Sequence, residues 1–187
     1  MLVILNLDSP SFHPFEINKE LFEDCKKFFH VFSFDFECVS IGKFSEVINF
    51  GYPYFRRISG GGLVFHGPHR DISMAFSFFS RSINIREIFS QIYLKLLNFI
   101  RLNLGFKCSI RDDGIYSNGD KIFGMAAARK KNFFLIEGCI LAGSNDVKRN
   151  IIKKEFMCFQ NFGVEIKNFY DISYNLLKFL KENFVEI

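Results

Sequence analysis

Three consecutive glycines, Gly60, Gly61 and Gly62, stand between Arg56-Arg57-Ile58-Ser59 and Leu63-Val64-Phe65-His66. Each glycine inside a helix or strand costs roughly 0.5–1 kcal/mol relative to alanine, so no regular element runs through this stretch. Such a run marks a turn where backbone comes close to something else. Its N–H groups can cradle an anion, and two arginines just upstream supply charge and paired donors. Taken alone, the triplet fits a flexible hairpin tip with two solvated arginines equally well. The spacing matches neither the dinucleotide fingerprint nor the P-loop.

Around the triplet the chain reads as short strands and a few helices. Apolar residues at Ile17, Leu21, Cys25 and Phe28 trace one stripe and predict a helix over residues 15–29. A second helix is expected over 85–102, opened by Asn84 with Glu87 three residues on. A third is expected from about 172 to 184, capped by Asp171 or Ser173, with Lys178 and Lys181 near its negative end. The N-terminus reads as a first strand. Further strand-like runs cover 31–41, 63–66, 72–79, 114–117, 121–127 and 132–141. Asn118-Gly119 between two of them predicts a two-residue hairpin turn with positive φ at both positions. Strands grouped around helices without regular βαβ alternation predict an α+β fold, with mixed or antiparallel sheets flanked by helices.

At 187 residues, 49% of them apolar, the chain is expected to be a single domain with a sizeable core. The 27 phenylalanines reflect compositional bias and carry no functional reading. No uncharged stretch near the middle approaches the ~18 residues of a membrane span, and the N-terminus lacks the basic start of a signal peptide. The five cysteines (Cys25, Cys38, Cys108, Cys139, Cys158) are odd in number and form no CxxC. That argues against a disulfide framework or a zinc site, and for a reducing cytoplasmic setting. A net charge of +4, with both signs interspersed, is weak grounds for nucleic acid but suits an acidic protein partner or a phosphorylated ligand.

Arg56-Arg57-Ile58-Ser59-Gly60-Gly61-Gly62-Leu63-Val64-Phe65-His66 resembles the signature of the lipoate–protein ligase family, in the wider group that includes octanoyltransferases and biotin ligases. Upstream, Val39-Ser40-Ile41-Gly42-Lys43 is similar to the family's strand ending in Ile-Gly-Arg/Lys. Downstream, Arg111-Asp112-Asp113-Gly114-Ile115 and Asp120-Lys121-Ile122-Phe123-Gly124-Met125-Ala126 resemble its Arg-Asn-Asp and Lys-Ile-Ser-Gly segments. The three motifs keep their order over residues 39–143. The loop typical of biotin ligases, rich in alternating glycine and arginine, is missing.

The resemblance implies an enzyme that attaches lipoate or octanoate to a lysine of a small acidic lipoyl acceptor domain, using ATP with Mg2+ to form an acyl-adenylate. It implies Lys121 as the catalytic lysine. Arg57, Ser59, Gly60, Gly61, Gly62 and His66 would line the acyl and phosphate pocket, with Gly124 and Ala126 beside it. An ammonium between carboxylate and α-phosphate lowers the barrier to joining two anions. If the strand alternates, Lys121 shares a face with Phe123 and Met125, and Gly124 and Ala126 leave the other face bare. Asp113 is a candidate to orient Lys121 or a magnesium ion, although a plain turn acid is the commoner reading.

The chain departs from the family pattern in three places. Glu137-Gly138-Cys139 stands where ligases carry His-Gly-Thr. His66-Gly67-Pro68 is similar instead to octanoyltransferases, which pass the acyl group through a cysteine thioester without ATP. Under that alternative the nucleophile would be Cys158 or Cys139, although neither sits in the Pro-Cys-Gly context of those enzymes. The chain also leaves no room for the accessory C-terminal domain of many ligases, which implies a catalytic domain alone, working with a separate subunit, or a binder of lipoyl ligands without turnover.

Overall fold

The computed structural model describes residues 1–47, 51–81, 84–111, 113–141 and 168–184. Among these residues ten strands and three helices follow one another as β1 (Leu2–Ser9), α1 (His13–Glu23), β2 (Phe28–Phe34), β3 (Cys38–Ile41), β4 (Tyr54–Arg56), β5 (Leu63–His66), β6 (Asp71–Phe79), α2 (Ile85–Leu104), β7 (Cys108–Arg111), β8 (Gly114–Ser117), β9 (Asp120–Lys130), β10 (Phe133–Leu141) and α3 (Phe169–Phe184). Seven strands form one sheet in the order β1-β2-β6-β10-β9-β8-β7, and three form a second in the order β4-β3-β5. Only β1/β2 and β3/β4 pair in parallel; the other pairings are antiparallel. The expected α+β class with mixed sheets and flanking helices holds.

The large sheet is covered on both faces. On one face lie α2 and α3, whose Ile92, Leu96, Ile100, Leu176 and Leu180 pack on Val31, Phe76, Phe134 and Phe123. The other face carries α1 and a phenylalanine cluster of Phe15, Phe22, Phe28, Phe32 and Phe34. The Phe15 ring stacks on Phe55 of β4 at 5.1 Å, tying the small sheet to α1. None of the described helices is long and apolar enough to cross a membrane.

Several expectations shift at their edges. The first helix stops at Glu23, not Phe29, because Cys25 takes φ 53° and Lys26 N–H bonds back to Leu21 O while Cys25 N–H bonds to Phe22 O. This is a Schellman ending with cysteine where glycine usually sits, and it frees Phe28 and Phe29 to begin β2. The run expected as one strand over 31–41 divides between two sheets, β2 in the large one and β3 in the small one. Asp171 and Ser173 lie inside α3 rather than capping it, and the Ser173 hydroxyl bonds back to Phe169 O at 2.8 Å. Strands β4 and β7 were not expected. The second helix starts as expected, with Asn84 Oδ1 accepting from Glu87 N–H, and ends at Gly105 with φ 69°. Asn118 and Gly119 have φ 50° and 90°, as the hairpin signal requires.

Candidate active site

The glycine run forms the turn between β4 and β5 and folds down onto β9. Arg57 fixes it from beneath. This guanidinium is only 7% exposed and donates to Ser40 Oγ at 2.6 Å, Gly60 O at 3.2 Å and Gly62 O at 2.9 Å. Gly60 N–H bonds to Ala127 O, and Gly42 N–H bonds to Gly62 O. Gly61, at φ 80°, is the member of the triplet whose conformation demands glycine. Gly42 is demanded by proximity: a Cβ there would run into the Gly61 carbonyl. Arg56, its neighbour, points elsewhere and holds the turn after β3 through the carbonyls of Gly42, Lys43 and Ser45.

Beneath this turn, between the two sheets, lies a cavity of about 420 Å³, within the ~300–1,000 Å³ of small-molecule sites. Register explains its floor. Ser73, Cys139 and Gly124 face one another across β6, β10 and β9, and Ala75, Glu137 and Ala126 form the next row. All six positions therefore share the cavity face. Small residues keep the space open, and Phe15 and Phe32 give it apolar walls.

A chain of polar groups runs along the inner end. The Ser40 hydroxyl, which accepts from Arg57, meets His66 Nε2 at 2.7 Å; His66 Nδ1 meets Asp71 Oδ2 at 2.9 Å. A carboxylate only accepts, so Nδ1 donates to Asp71. The same Asp71 oxygen takes the Ser73 hydroxyl at 2.7 Å and the Cys139 thiol at 3.3 Å. His66, Asp71 and Cys139 thus bring N, O and S donors within 4.8 Å of one another. Those atoms are already engaged in hydrogen bonds among themselves. Burial and the charge of Asp71 push the Cys139 thiol well above its ordinary value, and a thiol held protonated is a poor nucleophile.

Glu137 sits fully inside, where Ser59 Oγ–H donates to its Oε2 at 2.5 Å. Burial raises its carboxyl above the ordinary value, against the opposing pull of Arg57 and the Ser59 hydrogen bond. It therefore latches the turn carrying the glycines to the floor of the large sheet.

The outer end belongs to Lys121, which is 17% exposed and donates to Asp113 Oδ2 at 2.7 Å. Tyr116 O–H donates to the other oxygen at 2.8 Å. Burial works to raise Asp113, yet the two hydrogen bonds and the Lys121 charge together leave it below the usual carboxylate range. The expected alternation fails here. Tyr116 pairs with Lys121 but Ile115 pairs with Phe123, so Ile122 is an extra residue in β9 and the pleat changes phase. Phe123 faces the core with Met125 packed beside it, while Lys121 lies on the cavity side with Gly124 and Ala126. A Cβ on Gly124 would come within 2.9 Å of Lys121 Cε, and one on Gly114 within 2.6 Å. Both glycines make room for the lysine stem.

The structure thus gathers Lys121, Arg57, Gly61, Gly62, His66, Gly124, Ala126 and Cys139 around one cavity, with Ser59 and Gly60 behind it. Cys158 lies outside the described residues. Sequence reasoning missed Ser40, Asp71 and Ser73. The signal was present in β6, where Asp71, Ser73, Ala75 and Ser77 alternate with Ile72, Met74, Phe76 and Phe78: one face polar and small, the other apolar.

No curated protein sequence matches the chain. Among solved structures it resembles the bipartite lipoate protein ligase studied with its E2 lipoyl domain from Thermoplasma acidophilum, at 18% identity and a TM-score of 0.73, covering 97% of this chain and 82% of that one. A lipoate-protein ligase A bound with ATP gives 20% and 0.73, over 97% and 84%. The biotin protein ligase of Aquifex aeolicus, in complex with biotin and ATP, gives 12% and 0.58, over 97% and 69%. At these identities the likeness is one of fold. The family described as lipoyl protein ligase A/B catalytic domain matches residues 12–156. With strands β2 to β10, the glycine turn and the lysine-bearing hairpin all falling inside that span, the chain belongs to the lipoyl protein ligase A/B catalytic-domain family.

Proposed function

We propose that the protein joins lipoate or octanoate to a lysine of a lipoyl acceptor domain through an acyl-adenylate made from ATP. The observation that carries this reading is the ammonium of Lys121, alone of its kind among the described residues at the opening of a largely apolar cavity and steadied by Asp113 at 2.7 Å. The acyl chain lies in the cavity and its carboxylate meets Lys121. An acyl oxygen attacks the α-phosphorus and pyrophosphate leaves. The acceptor amine then attacks the acyl carbon, losing a proton, and AMP departs. Both steps build negative charge where the ammonium stands. Magnesium would accompany ATP and screen the charge of its phosphates. Asp113, exposed at the opening, is the carboxylate suited to it.

Octanoyl transfer through Cys139 is disfavoured by its buried thiol, which donates to Asp71. The deciding experiment mixes the protein with lipoate, an apo lipoyl domain and Mg·ATP, and follows the mass of the domain. Acylation that requires ATP supports the ligase. Acylation without ATP from an octanoyl thioester would replace it with the transferase. Tight ligand binding with no acylated domain in either mixture would leave a binder without turnover.

A further inference from the structure

We propose that a basic groove along β7 is the docking surface for the acceptor, and that it takes an acidic face of that protein. The inference rests on the acyl-transfer reading above and names the surface that serves it. β7 is the outermost strand beyond β8 and β9. Ser109 pairs with Tyr116 and Tyr116 with Lys121, so the three side chains stand on one face, in line from the sheet edge to the reactive ammonium. Two strand spacings, roughly 10 Å, separate β7 from β9.

A groove of about 500 Å³ runs along this edge, and among the described residues its lining includes Arg101, Lys107 and Arg111 but no carboxylate. The cations are exposed and partly fixed. Arg101 Nη2 donates to Cys108 O at 2.6 Å, and the Arg111 guanidinium lies 4.5 Å over the Tyr116 ring. Tyr116 is shared: it lines the groove and also donates to Asp113, the partner of Lys121. Lys121 opens to solvent beside Asp113, which is 62% exposed. A protein that brings its lysine to this opening must rest part of its surface next to it, and on the β7 side that surface meets three cations. Complementary charge there speeds encounter and sets register. A nucleic acid fits less well, because its evenly charged backbone, laid from the groove across the opening, would meet Asp113.

The test uses Lys107→Glu and the double variant Lys107→Glu/Arg111→Glu, with an acidic apo E2 lipoyl domain as the probe. Thermal unfolding confirms that the variants fold. Binding is measured directly by fluorescence anisotropy at low and high salt, and transfer by the kcat/KM for the domain. The double variant should weaken binding and lower kcat/KM about tenfold or more at low salt and flatten the salt dependence, leaving acyl-adenylate formation unchanged. A Glu→Lys change on the acidic face of the probe should restore part of the loss. Unchanged affinity and transfer in the double variant would overturn the proposal. So would failure of wild type to bind the domain at low salt, or tighter binding of an RNA oligonucleotide. Absence of any acyl-adenylate would instead count against the ligase chemistry, while the binding measurement still decides the docking surface.

Discussion

Arg57 is the strongest place to perturb the site, because one guanidinium reaches Ser40, Gly60 and Gly62 at 2.6, 3.2 and 2.9 Å. Arg57→Lys keeps the charge and loses the fork, since an ammonium is a point donor that cannot span β3 and both ends of the glycine run. Two of the three bonds go. Hydrogen bonds from a charged group contribute about 1.5–3 kcal/mol each, so the gross loss is about 3–6 kcal/mol. Gly62 is exposed and Gly60 half-buried, so water recovers part of it, leaving about 2–3 kcal/mol. At about 2–4 °C per kcal/mol for a chain of this size, the Tm should fall by about 4–12 °C. Arg57→Met loses all three bonds and also removes the cation beside buried Glu137, so it costs more than the lysine variant. The order of stability should be wild type, then Lys, then Met. Octanoate affinity, measured by calorimetric titration, should fall in the same order as the glycine turn loosens. An Arg57→Lys protein within about 0.5 kcal/mol of wild type, with unchanged octanoate affinity, would refute the idea that the fork holds the turn.

Other expectations follow from the same geometry. Gly124→Ala places a methyl within 2.9 Å of Lys121 Cε, so it should shift the ammonium and lower kcat for acyl transfer at least tenfold, with Tm nearly unchanged; equal kcat would show that the lysine stem has room to spare. Glu137 is raised above its ordinary value of 4.5 by burial. Above pH 4.5 the unfolded chain gives up this proton while the folded state keeps it, so Glu137 costs progressively more stability as pH rises toward its folded value. Glu137→Gln removes that dependence, and its stability relative to wild type should improve from pH ~5 to pH ~8 in urea unfolding. The same difference at both pH values would contradict the assignment.

Local signals in the sequence carried much of this architecture. The Asn84–Glu87 start of α2 and the Asn118-Gly119 turn are contained within a few residues, and both form as expected. The end of α1 was illegible because Cys25, a residue with no preference for positive φ, does the work glycine normally does. β2 is buried along its whole length and shows no alternation to mark it. The bulge at Ile122 left no trace in composition, yet it decides which face Lys121 occupies. The site divides the same way. Lys121, Arg57 and the glycine run were legible through their motif. The Ser59–Glu137 latch, which spans 78 positions, exists only once the two sheets meet. The departure at Glu137 from the usual histidine now has a physical sense, since a carboxyl there accepts the hydroxyl that closes the glycine turn.

The half-reaction tests the central claim most directly. Wild type and Lys121→Ala would each be mixed with Mg·ATP and lipoate or octanoate, and the acyl-AMP sought by mass spectrometry. Acyl-AMP from wild type, and a loss of at least about a hundredfold from the alanine variant with its thermal unfolding unchanged, is the predicted result. Equal acyl-AMP from both proteins, or none from wild type, would contradict the assignment of Lys121 as the ammonium that joins the two anions.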